Sequence, residues 1–488
     1  MIIQNIIFPD EACPEEALYF CTGGEIKNNE RIVFLKAGQT LSSETYMNAF
    51  DIGWWRKYTV LRNISLRLSL CGEGKVWLCR ILRGETEFLE EKSFKNEEII
   101  FSLSEIKEGL IFFKVSAETK VIFRKGFYYE KSGALRDVRL AVNTVTFHRN
   151  AQLKKNLDKF KKSQFFQRGH SLYGRLKVYV TDNGDDFKYE DSSGFINICS
   201  NSNRGGGSGG FERGLEEIKK EWKNFPASHV VFMDDDVEFQ MESFYRLFAF
   251  YSYVTKEYEA FPTAGRMFCL DNRALQYTAA EKWNKGELIH LEGNLDMSLK
   301  ENLKEEKNMA GDYGGWWLCA YPAGFALKNK PYPFFIHCDD AEYGLRSGKK
   351  AFILRGFQVW HETAASKANL KAVYYDSRNS FILNTMEGGS ADSREVLGLW
   401  KKKLDFYHNQ GMYKEKYYYA LGLWDAAEPK RFKKNFGEIS QSVLKTENEK
   451  IFKAAAALLH RAAEKKTEKN FSRIKKSYLF LRSTRKWQ

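Results

Sequence analysis

The segment "HVVFMDDDVEF" (229–239) runs from an apolar stretch directly into three adjacent carboxylates. Its first half is typical of a buried strand, and apolar residues at positions 244, 247, 248 and 251 then predict an amphipathic helix. A single aspartate is enough to cap such a helix. Because Asp234, Asp235 and Asp236 carry charges that repel one another, we predict instead that they hold a divalent cation through oxygen ligands.

Three further strands of this region also end in polar residues. They are "VRLAVNTVTFHRN" (138–150), "GRLKVYVTDNGDD" (174–186) and "GFINICSNSN" (194–203). Strands that alternate with helices predict an α/β fold with a Rossmann-like, doubly wound parallel sheet, whose ligands bind at the carboxyl ends of the strands. We therefore expect the polar ends of these strands to form one site.

A chain of 488 residues is long enough for several domains. Residues 1–136 contain short alternating strands joined by tight turns, which predict an N-terminal β-sandwich or jelly roll. Such a module often binds carbohydrate, although structural packing is the simpler explanation. Residues 137–385 hold the predicted α/β domain, and residues 386–488 are predicted to form a C-terminal helical domain with a basic tail.

The net charge of +13 is concentrated near the C-terminal end. Residues 451–488 contain seven Lys and four Arg against two Glu, and aromatic residues alternate with the basic ones in "FSRIKKSYLFLRSTRKWQ" (471–488). An anionic membrane surface attracts such a segment, but a solvated helix end has the same composition. No DNA- or RNA-binding motif is present, so we expect no nucleic acid partner.

Several features of the sequence bear on the compartment and the assembly state of the protein. No apolar stretch approaches the ~18 residues of a membrane span, and the first residues lack a basic leader. The eight cysteines are scattered and include no CxxC pair, as is typical of a reducing compartment. We expect a cytoplasmic protein that is peripheral at the inner face of the cell membrane, and a homo-oligomer is compatible with the sequence.

Two other segments place chemistry next to a helix start. Glycines in "NSNRGGGSGGFERGL" (201–215) precede a helix and predict close approach of the backbone to an anion, or else a flexible surface loop. In "FFIHCDDAEYGLR" (334–346), Asp339 and Asp340 begin a helix. Helix capping and proton transfer by a carboxylate both fit this position.

Aromatic residues and a histidine complete the candidates. The adjacent Trp316 and Trp317 follow two glycines and are suited either to stacking on sugar rings or to packing in the core. His361 ends the strand-like segment "ILRGFQVWHE" (353–362). A lone histidine is usually structural, but one at a strand end in a fold with a metal site could be a third protein ligand.

Taken together, these segments resemble family-2 glycosyltransferases of the GT-A type, and among them the polymerising UDP-galactofuranosyltransferases of mycobacterial galactan. The resemblance covers residues from about 140 to 380. The segments that carry it, in chain order, are "TFHR" (146–149), "TDNG" (181–184), "NSNRGGGSGGFERGL" (201–215), "FMDDDV" (232–237), "GGWWLCAYP" (314–322), "CDDAEYGLR" (338–346), "VWH" (359–361) and "YYDSRN" (374–379).

The resemblance implies a role for each candidate residue. Asp340 would be the catalytic base, and Asp234, Asp236 and His361 would bind a divalent metal, Mn²⁺ or Mg²⁺. Residues implied in binding the nucleotide-sugar donor are Arg149, Asp182, Asn183, Asn203, Gly206, Asp234, Asp235 and Asp236. Residues implied on the acceptor side are Trp316, Trp317, Asp339 and Asp376.

The resemblance implies an inverting, metal-dependent glycosyltransferase that moves galactofuranose from a UDP-sugar donor onto a glycan or lipid-linked glycan in cell-surface polysaccharide synthesis. One departure concerns the acceptor side, because Asp376 stands where the family has a histidine before its Arg-Asn pair. A rhamnosyltransferase or other hexosyltransferase on the same scaffold is the first alternative. A non-catalytic carbohydrate-binding or scaffold protein is the alternative from another class.

Overall fold

The computed structural model describes residues 1–284, 286–305, 311–363, 369–387, 392–434, 438–439 and 448–484. A sheet-rich N-terminal region, a mixed sheet flanked by helices and a group of C-terminal helices follow one another along the chain. The predicted order of these three regions is confirmed. Residues 485–488, the last part of the predicted basic tail, lie outside the described residues.

The N-terminal region contains two six-stranded antiparallel sheets and one short helix. The strands are β1 (Ile2–Asn5), β2 (Cys21–Thr22), β3 (Glu25–Lys27), β4 (Ile32–Leu35), β5 (Thr40–Ser42), β6 (Phe50–Asp51), β7 (Ile64–Cys71), β8 (Glu73–Leu82), β9 (Glu85–Lys95), β10 (Glu98–Ser102), β11 (Leu110–Ala117) and β12 (Val121–Glu130), and the helix is α1 (Ile52–Tyr58).

These two sheets pack face to face as a sandwich. The first has the order β10-β7-β12-β4-β3 with β1 on β12, and the second has the order β2-β5-β11-β8-β9 with β6 on β11. Alternating apolar residues of β7 and β11 enter one core, and the rings of Phe113 and Phe123 meet between the sheets at 5.4 Å. Alternation of period two is what allows each sheet to bury one face and expose the other.

The central region contains a nine-stranded sheet, a separate hairpin and helices on the sheet. Its strands are β13 (Leu140–Thr146), β14 (Leu176–Asp182), β15 (Ile196–Ser200), β16 (His229–Asp234), β17 (Thr263–Cys269), β18 (Leu275–Thr278), β19 (Ala280–Asn284), β20 (Glu287–Leu291), β21 (Leu295–Asp296), β22 (Leu318–Pro322) and β23 (Phe352–His361). Its helices are α2 (Asn150–Lys161), α3 (Gly206–Lys220), α4 (Glu242–Tyr253), α5 (Ala323–Ala326) and α6 (Asp339–Ser347).

This sheet is mixed, so the predicted all-parallel sheet is wrong in its second half. Strands β15-β14-β13-β16 are parallel neighbours, but β22 runs antiparallel to both β16 and β17. The strand β23 is again parallel to β17. β22 and its neighbours are buried on both faces, so their sequences lack the alternation that distinguishes many antiparallel strands from parallel ones.

The C-terminal region is helical. Its helices are α7 (Leu370–Glu387), α8 (Ser393–Asn409), α9 (Tyr413–Ala426), α10 (Pro429–Lys434) and α11 (Glu449–Thr484). The long α11 buries one stripe, including Ile474 and Tyr478, against the other helices. Its opposite stripe is basic and exposed, so one side of the tail packs on the fold and the other side faces solvent. Among the described residues, no helix is both long enough and apolar enough to cross a bilayer.

Candidate functional site

The carboxyl ends of the four parallel strands lie side by side. In the register of the sheet, Thr146 is opposite Asp182, and Asp182 is opposite Ser200. On the other side of β13, Val145 is opposite Asp234. The polar residues that end these strands therefore share one edge, as the sequence predicted.

Three side chains at this edge form a candidate metal centre. Asp234, Asp236 and His361 each offer one ligand atom, and these atoms all lie within 4.8 Å of one another. The His361 Nε2 atom is 2.9 Å from an Asp236 carboxylate oxygen and 3.9 Å from Asp234. Backbone hydrogen bonds between Glu238 and Trp360 join the two chain segments and bring His361 to the aspartates.

Arg149 neutralises part of the acidic edge. Its guanidinium donates to Asp235 at 3.1 Å and lies 2.9 Å from Asp236. Burial raises the pKa of Asp235 to about 6, although Thr146 and Arg149 both act in the opposite direction. Asp235 is thus a buried partner of Arg149, whereas Asp234 and Asp236 are more exposed.

The predicted donor-binding residues differ in exposure, because some are buried and hold the turns around the site and others are open to a ligand. Asp182 accepts hydrogen bonds from the amides of Gly184 and Phe187, so its carboxylate shapes the turn after β14. Asn183 is buried and donates to the Gly206 carbonyl at 2.9 Å. Asn203 is partly exposed, with a left-handed φ of 53°. Of these residues, Asn203 and Arg149 have side chains open enough to contact a nucleotide directly.

The glycine-rich segment serves packing as well as any ligand. A Cβ on Gly214 would lie 1.9 Å from the Asn143 carboxamide oxygen, and one on Gly206 would lie 2.6 Å from the Phe335 carbonyl. The Ser208 amide already donates to that carbonyl at 3.2 Å. The Ser208 amide is therefore not open to an anion, because a loop of the chain itself occupies the start of α3, and anion binding by the glycine amides stays a prediction.

That loop precedes α6 and contains an unusual backbone. Phe335, His337 and Cys338 all have positive φ angles of 64° to 73°. Asn379 of α7 holds the loop through hydrogen bonds from its side chain to the carbonyls of Ile336 at 2.7 Å and His337 at 2.9 Å. Left-handed conformations are costly for residues other than glycine, so they persist only where surrounding contacts fix them.

The loop presents two carboxylates at the start of α6. Asp339 is buried and accepts a hydrogen bond from the Ser208 hydroxyl at 2.8 Å. Asp340 is only partly buried and accepts from the Ala341 amide. Burial raises the pKa of Asp340 strongly, and the charges of Asp339, Glu281 and Asp234 raise it further. Asp340 thus stands in an acidic environment to which the candidate metal centre contributes through Asp234.

A histidine beside these carboxylates was not among the residues predicted from the sequence. The His337 Nδ1 atom lies 2.5 Å from the carboxylate of Asp376 on α7. Burial lowers the pKa of His337, but the hydrogen bond and charge of Asp376 outweigh it, so the pKa is raised. The only available signal was that His337 stands three residues before Asp340, whereas Asp376 was predicted through the family pattern alone.

The two adjacent tryptophans have different environments. Trp316 is buried and its ring stacks on Phe232 at 4.6 Å, so the predicted stacking of a sugar on Trp316 is wrong, and a contribution of this residue to the shape of the acceptor side stays a prediction. Aromatic packing explains its position without a ligand. Trp317 stays partly exposed and donates to the Gly265 carbonyl at 3.0 Å, so it remains a candidate for the acceptor side.

Comparison with known proteins finds relatives that match much of the chain. A model of the family described as galactofuranosyltransferase 2 N-terminal matches residues 3–131. The galactofuranosyltransferase GlfT2 of Mycobacterium tuberculosis is 26% identical over 405 residues, which is 75% of this chain. This chain is similar to GlfT2. The GlfT2 of Mycolicibacterium smegmatis is likewise 26% identical over 383 residues, or 70% of this chain.

The similarity to GlfT2 covers much of this chain, but not the whole of either relative. The matched part spans 61% and 57% of the length of the two GlfT2 proteins. Among solved structures, a CBM29-2 carbohydrate-binding module is 14% identical over 27% of this chain and 91% of its own, with a TM-score of 0.18. A xylanase 10B fragment of Clostridium thermocellum is 12% identical over 43% of this chain and 52% of its own, with a TM-score of 0.17.

Proposed function

We propose that this protein is an inverting, metal-dependent glycosyltransferase of the GT-A type that transfers galactofuranose from UDP-galactofuranose to a hydroxyl group of a glycan or lipid-linked glycan. The observation that carries the proposal is the cluster of Asp234, Asp236 and His361 at the strand ends, whose ligand atoms all lie within 4.8 Å of one another. The similarity to GlfT2 supports the choice of sugar.

The residues at the strand ends fit a divalent cation. Asp234 and Asp236 offer carboxylate oxygens and His361 a ring nitrogen, a set that suits Mn²⁺ or Mg²⁺. A bound cation supplies positive charge that stabilises the diphosphate as it leaves. Arg149 already lies against Asp235 and Asp236, so its guanidinium is placed to contact a diphosphate at the same edge.

Asp340 performs the proton transfer in this proposal. The acceptor hydroxyl oxygen attacks the anomeric carbon, the bond from that carbon to the diphosphate breaks, and the hydroxyl proton moves to the Asp340 carboxylate. Because attack comes from the face opposite the leaving UDP, one base is enough and the configuration inverts. Burial beside Asp339 raises the pKa of Asp340, so its carboxylate, once ionised, is a stronger base than an exposed aspartate.

Asp339, Asp376 and Trp317 form the acceptor side in the same proposal. Asp339 is tied to Ser208 and holds the start of α6 in place. Asp376 and His337 form a pair that offers both an acceptor and a donor of hydrogen bonds to sugar hydroxyls. Trp317 contributes a partly exposed ring.

The exposed stripe of α11 supports attachment to an anionic membrane surface, consistent with a lipid-linked acceptor. Its exposed basic residues are Arg461, Lys465, Lys469, Arg473 and Lys476. The exposed Phe480 lies near the end of this stripe. Basic residues near anionic headgroups and a partly inserted ring are the features of a helix that lies on a membrane.

The test is a transfer assay with a panel of nucleotide sugars and glycan acceptors, read by mass spectrometry of the products. We expect galactofuranose transfer that stops in EDTA and returns with Mn²⁺ or Mg²⁺. Asp340→Ala should abolish transfer and leave UDP binding nearly unchanged. Transfer that continues in EDTA would contradict the proposal, and so would an equal loss of transfer and UDP binding in Asp340→Ala. Transfer of rhamnose alone would mean that rhamnose, not galactofuranose, is the sugar transferred.

A further inference from the structure

An open groove on the N-terminal sandwich lies outside the site described above. It has a volume of about 970 Å³, within the range of sites that hold a ligand of several rings. Most of its lining comes from β2, β5, β11, β8 and β9, which form the second sheet in that order. The groove is therefore the outer face of this sheet rather than a gap between elements.

Half of that outer face is covered by the chain itself. Leu303, from the segment after β21, packs in a cluster with Cys79, Ile81, Leu110 and Phe112 on the outer side of β8 and β11. The other half of the face is left open, and Lys300 stands at the boundary between the two halves. The part of the chain that carries the candidate metal centre thus forms one wall of the groove.

The open half presents aromatic surface. Trp77 of β8 is partly exposed, and Phe88 of β9 is 65% exposed. A register shift between Leu78 and Cys79 makes Phe88 and Glu90 pair with consecutive residues of β8, so Leu89 is an extra residue in β9. Bulges of this kind redirect side chains at a sheet edge. Phe88 and the 37% exposed Leu89 both line the groove as a result.

The charged groups that line the groove each lie near an opposite charge, in part from lysines next to the groove. Glu44 lies 3.0 Å from Lys300 and 3.8 Å from Lys114. Glu91 lies 2.9 Å from Lys75 and accepts a hydrogen bond from the Trp77 indole at 2.7 Å. Because each of these charges has an opposite partner, the groove favours a ligand without net charge and disfavours a nucleotide or an anionic lipid.

The remaining lining is rich in small hydroxyl groups. Thr22, Thr40, Ser42 and Ser116 lie on the strands next to the aromatic residues. A neutral ligand that has apolar C–H faces for stacking and many hydroxyl groups for hydrogen bonding is a carbohydrate. The shape of the site agrees, because an open groove on a sheet accommodates a chain that continues at both ends.

We propose that this groove binds a neutral glycan chain, with Phe88 and Trp77 as stacking platforms and the paired charges and hydroxyl groups as hydrogen-bonding partners. The glycan class is derived from the groove alone. That the glycan is the galactan acceptor or product rests on the proposed function. In that case the groove retains the polymer between successive additions at Asp340.

The first experiment measures binding without chemistry. The full-length protein carrying Asp340→Ala is titrated with soluble galactofuranosyl galactan, and in parallel with xylan and heparin, by affinity electrophoresis. We expect at least one neutral polysaccharide to bind and heparin not to compete with it. Phe88→Ala should weaken that binding by about tenfold or more, because the variant loses a stacking platform. Phe406→Ala, which alters a 48% exposed ring on α8, is the matched control.

The outcomes separate the two proposals. Galactan binding that depends on Phe88 supports the groove whether or not any donor is used. Binding of xylan alone supports a glycan groove and removes its link to the acceptor. Three results would each overturn the groove proposal: no neutral polysaccharide binds, neither phenylalanine change affects binding, or heparin alone binds. The transfer assay with UDP-galactofuranose would still decide the proposed function.

A kinetic measurement extends the test to the working enzyme. In the protein with an intact Asp340, Phe88→Ala should raise KM for a long galactan acceptor and leave kcat/KM for a disaccharide acceptor unchanged. A merely structural defect would change both acceptors alike. Because Phe88 is exposed on an edge strand, we expect this variant to keep the thermal stability of the unmodified protein.

Discussion

At the scale of the residue, Asp340 is a carboxylate in a partly buried and acidic environment. Its carboxyl is partly buried beside Asp339, and both factors raise its pKa. The folded protein therefore binds this proton more tightly than the unfolded chain does. The stabilisation is fully present below the pKa of an unfolded aspartate and is lost as the pH rises through the higher pKa of the folded state.

A stability measurement checks that sign. Asp340→Asn cannot ionise, so it should remove the loss of stability at high pH. With EDTA present, we expect the variant and the unmodified protein to have similar Tm values at about pH 4 and the variant to be the more stable at about pH 9. Differential scanning fluorimetry measures both. A Tm difference that does not change with pH would show that Asp340 has an ordinary pKa in the fold.

The pair formed by His337 and Asp376 should act on the acceptor and not on the donor. Asp376→Asn keeps the shape of the side chain but removes the charge that raises the pKa of His337. We expect KM for the glycan acceptor to rise several-fold while the Kd for UDP, measured by calorimetry, stays the same. If UDP binding weakens as much as acceptor binding, the pair belongs to the nucleotide side.

At the scale of the element, α7 fixes the loop that leads into Asp339 and Asp340. Asn379 is completely buried, and its carboxamide serves the carbonyls of Ile336 and His337. Asn379→Ala leaves these carbonyls without that partner, at a cost of about 1–3 kcal/mol each if they stay buried. We expect a lower Tm and a lower kcat with unchanged metal affinity.

Thr385→Ala is the matched control for Asn379→Ala. Thr385 is also buried on α7, but its hydroxyl donates to the Phe381 carbonyl of the same helix. The Thr385→Ala change should lower the stability of the protein without lowering kcat of the molecules that stay folded. Equal effects of the two changes on kcat would remove the positioning role of Asn379.

The contact between α3 and β13 makes a prediction about glycine. A Cβ on Gly214 would overlap the Asn143 carboxamide, so Gly214→Ala should destabilise the fold by about 1–3 kcal/mol. Gly398 lies within α8 and has nothing within 4 Å of an added Cβ. Gly398→Ala should therefore stabilise the protein by about 0.4–1 kcal/mol. Urea unfolding curves of both variants test the opposite signs.

The sequence revealed those parts of the fold and site that depend on local patterns. The strand before Asp234 and the polar strand ends could be predicted, because apolar runs and their polar termini are local features. The antiparallel direction of β22 and the burial of Trp316 depend on contacts with distant residues. His337 is not distinguished by spacing, since its partner Asp376 lies 39 residues further along the chain.

At the scale of the whole molecule, the basic stripe of α11 predicts how the protein meets a membrane. Deleting residues 471–488 is a poor test, because Ile474 and Tyr478 are buried and the deletion would expose the core around them. Replacing Lys469, Arg473 and Lys476 with Gln removes only exposed charge. At about 1 kcal/mol per basic residue, binding to anionic vesicles should weaken about 100-fold.

The matched control replaces three exposed lysines in other parts of the chain, Lys223, Lys256 and Lys371, with Gln. It changes the net charge equally, so it separates a local stripe from overall electrostatic attraction. Vesicle sedimentation at low and high salt measures both variants. Equal weakening by the two sets of changes would mean that α11 has no special role at the membrane.

The far end of α11 also reaches the helix that carries Asp340. Arg482 lies 3.0 Å from Glu342 of α6, a side chain with no exposed surface whose other cationic partner is Arg346. During synthesis on the ribosome, α6 is made long before residue 482. A nascent chain therefore holds the Glu342 carboxylate with only one of these two cationic partners until residue 482 has been made and α11 has packed against α6.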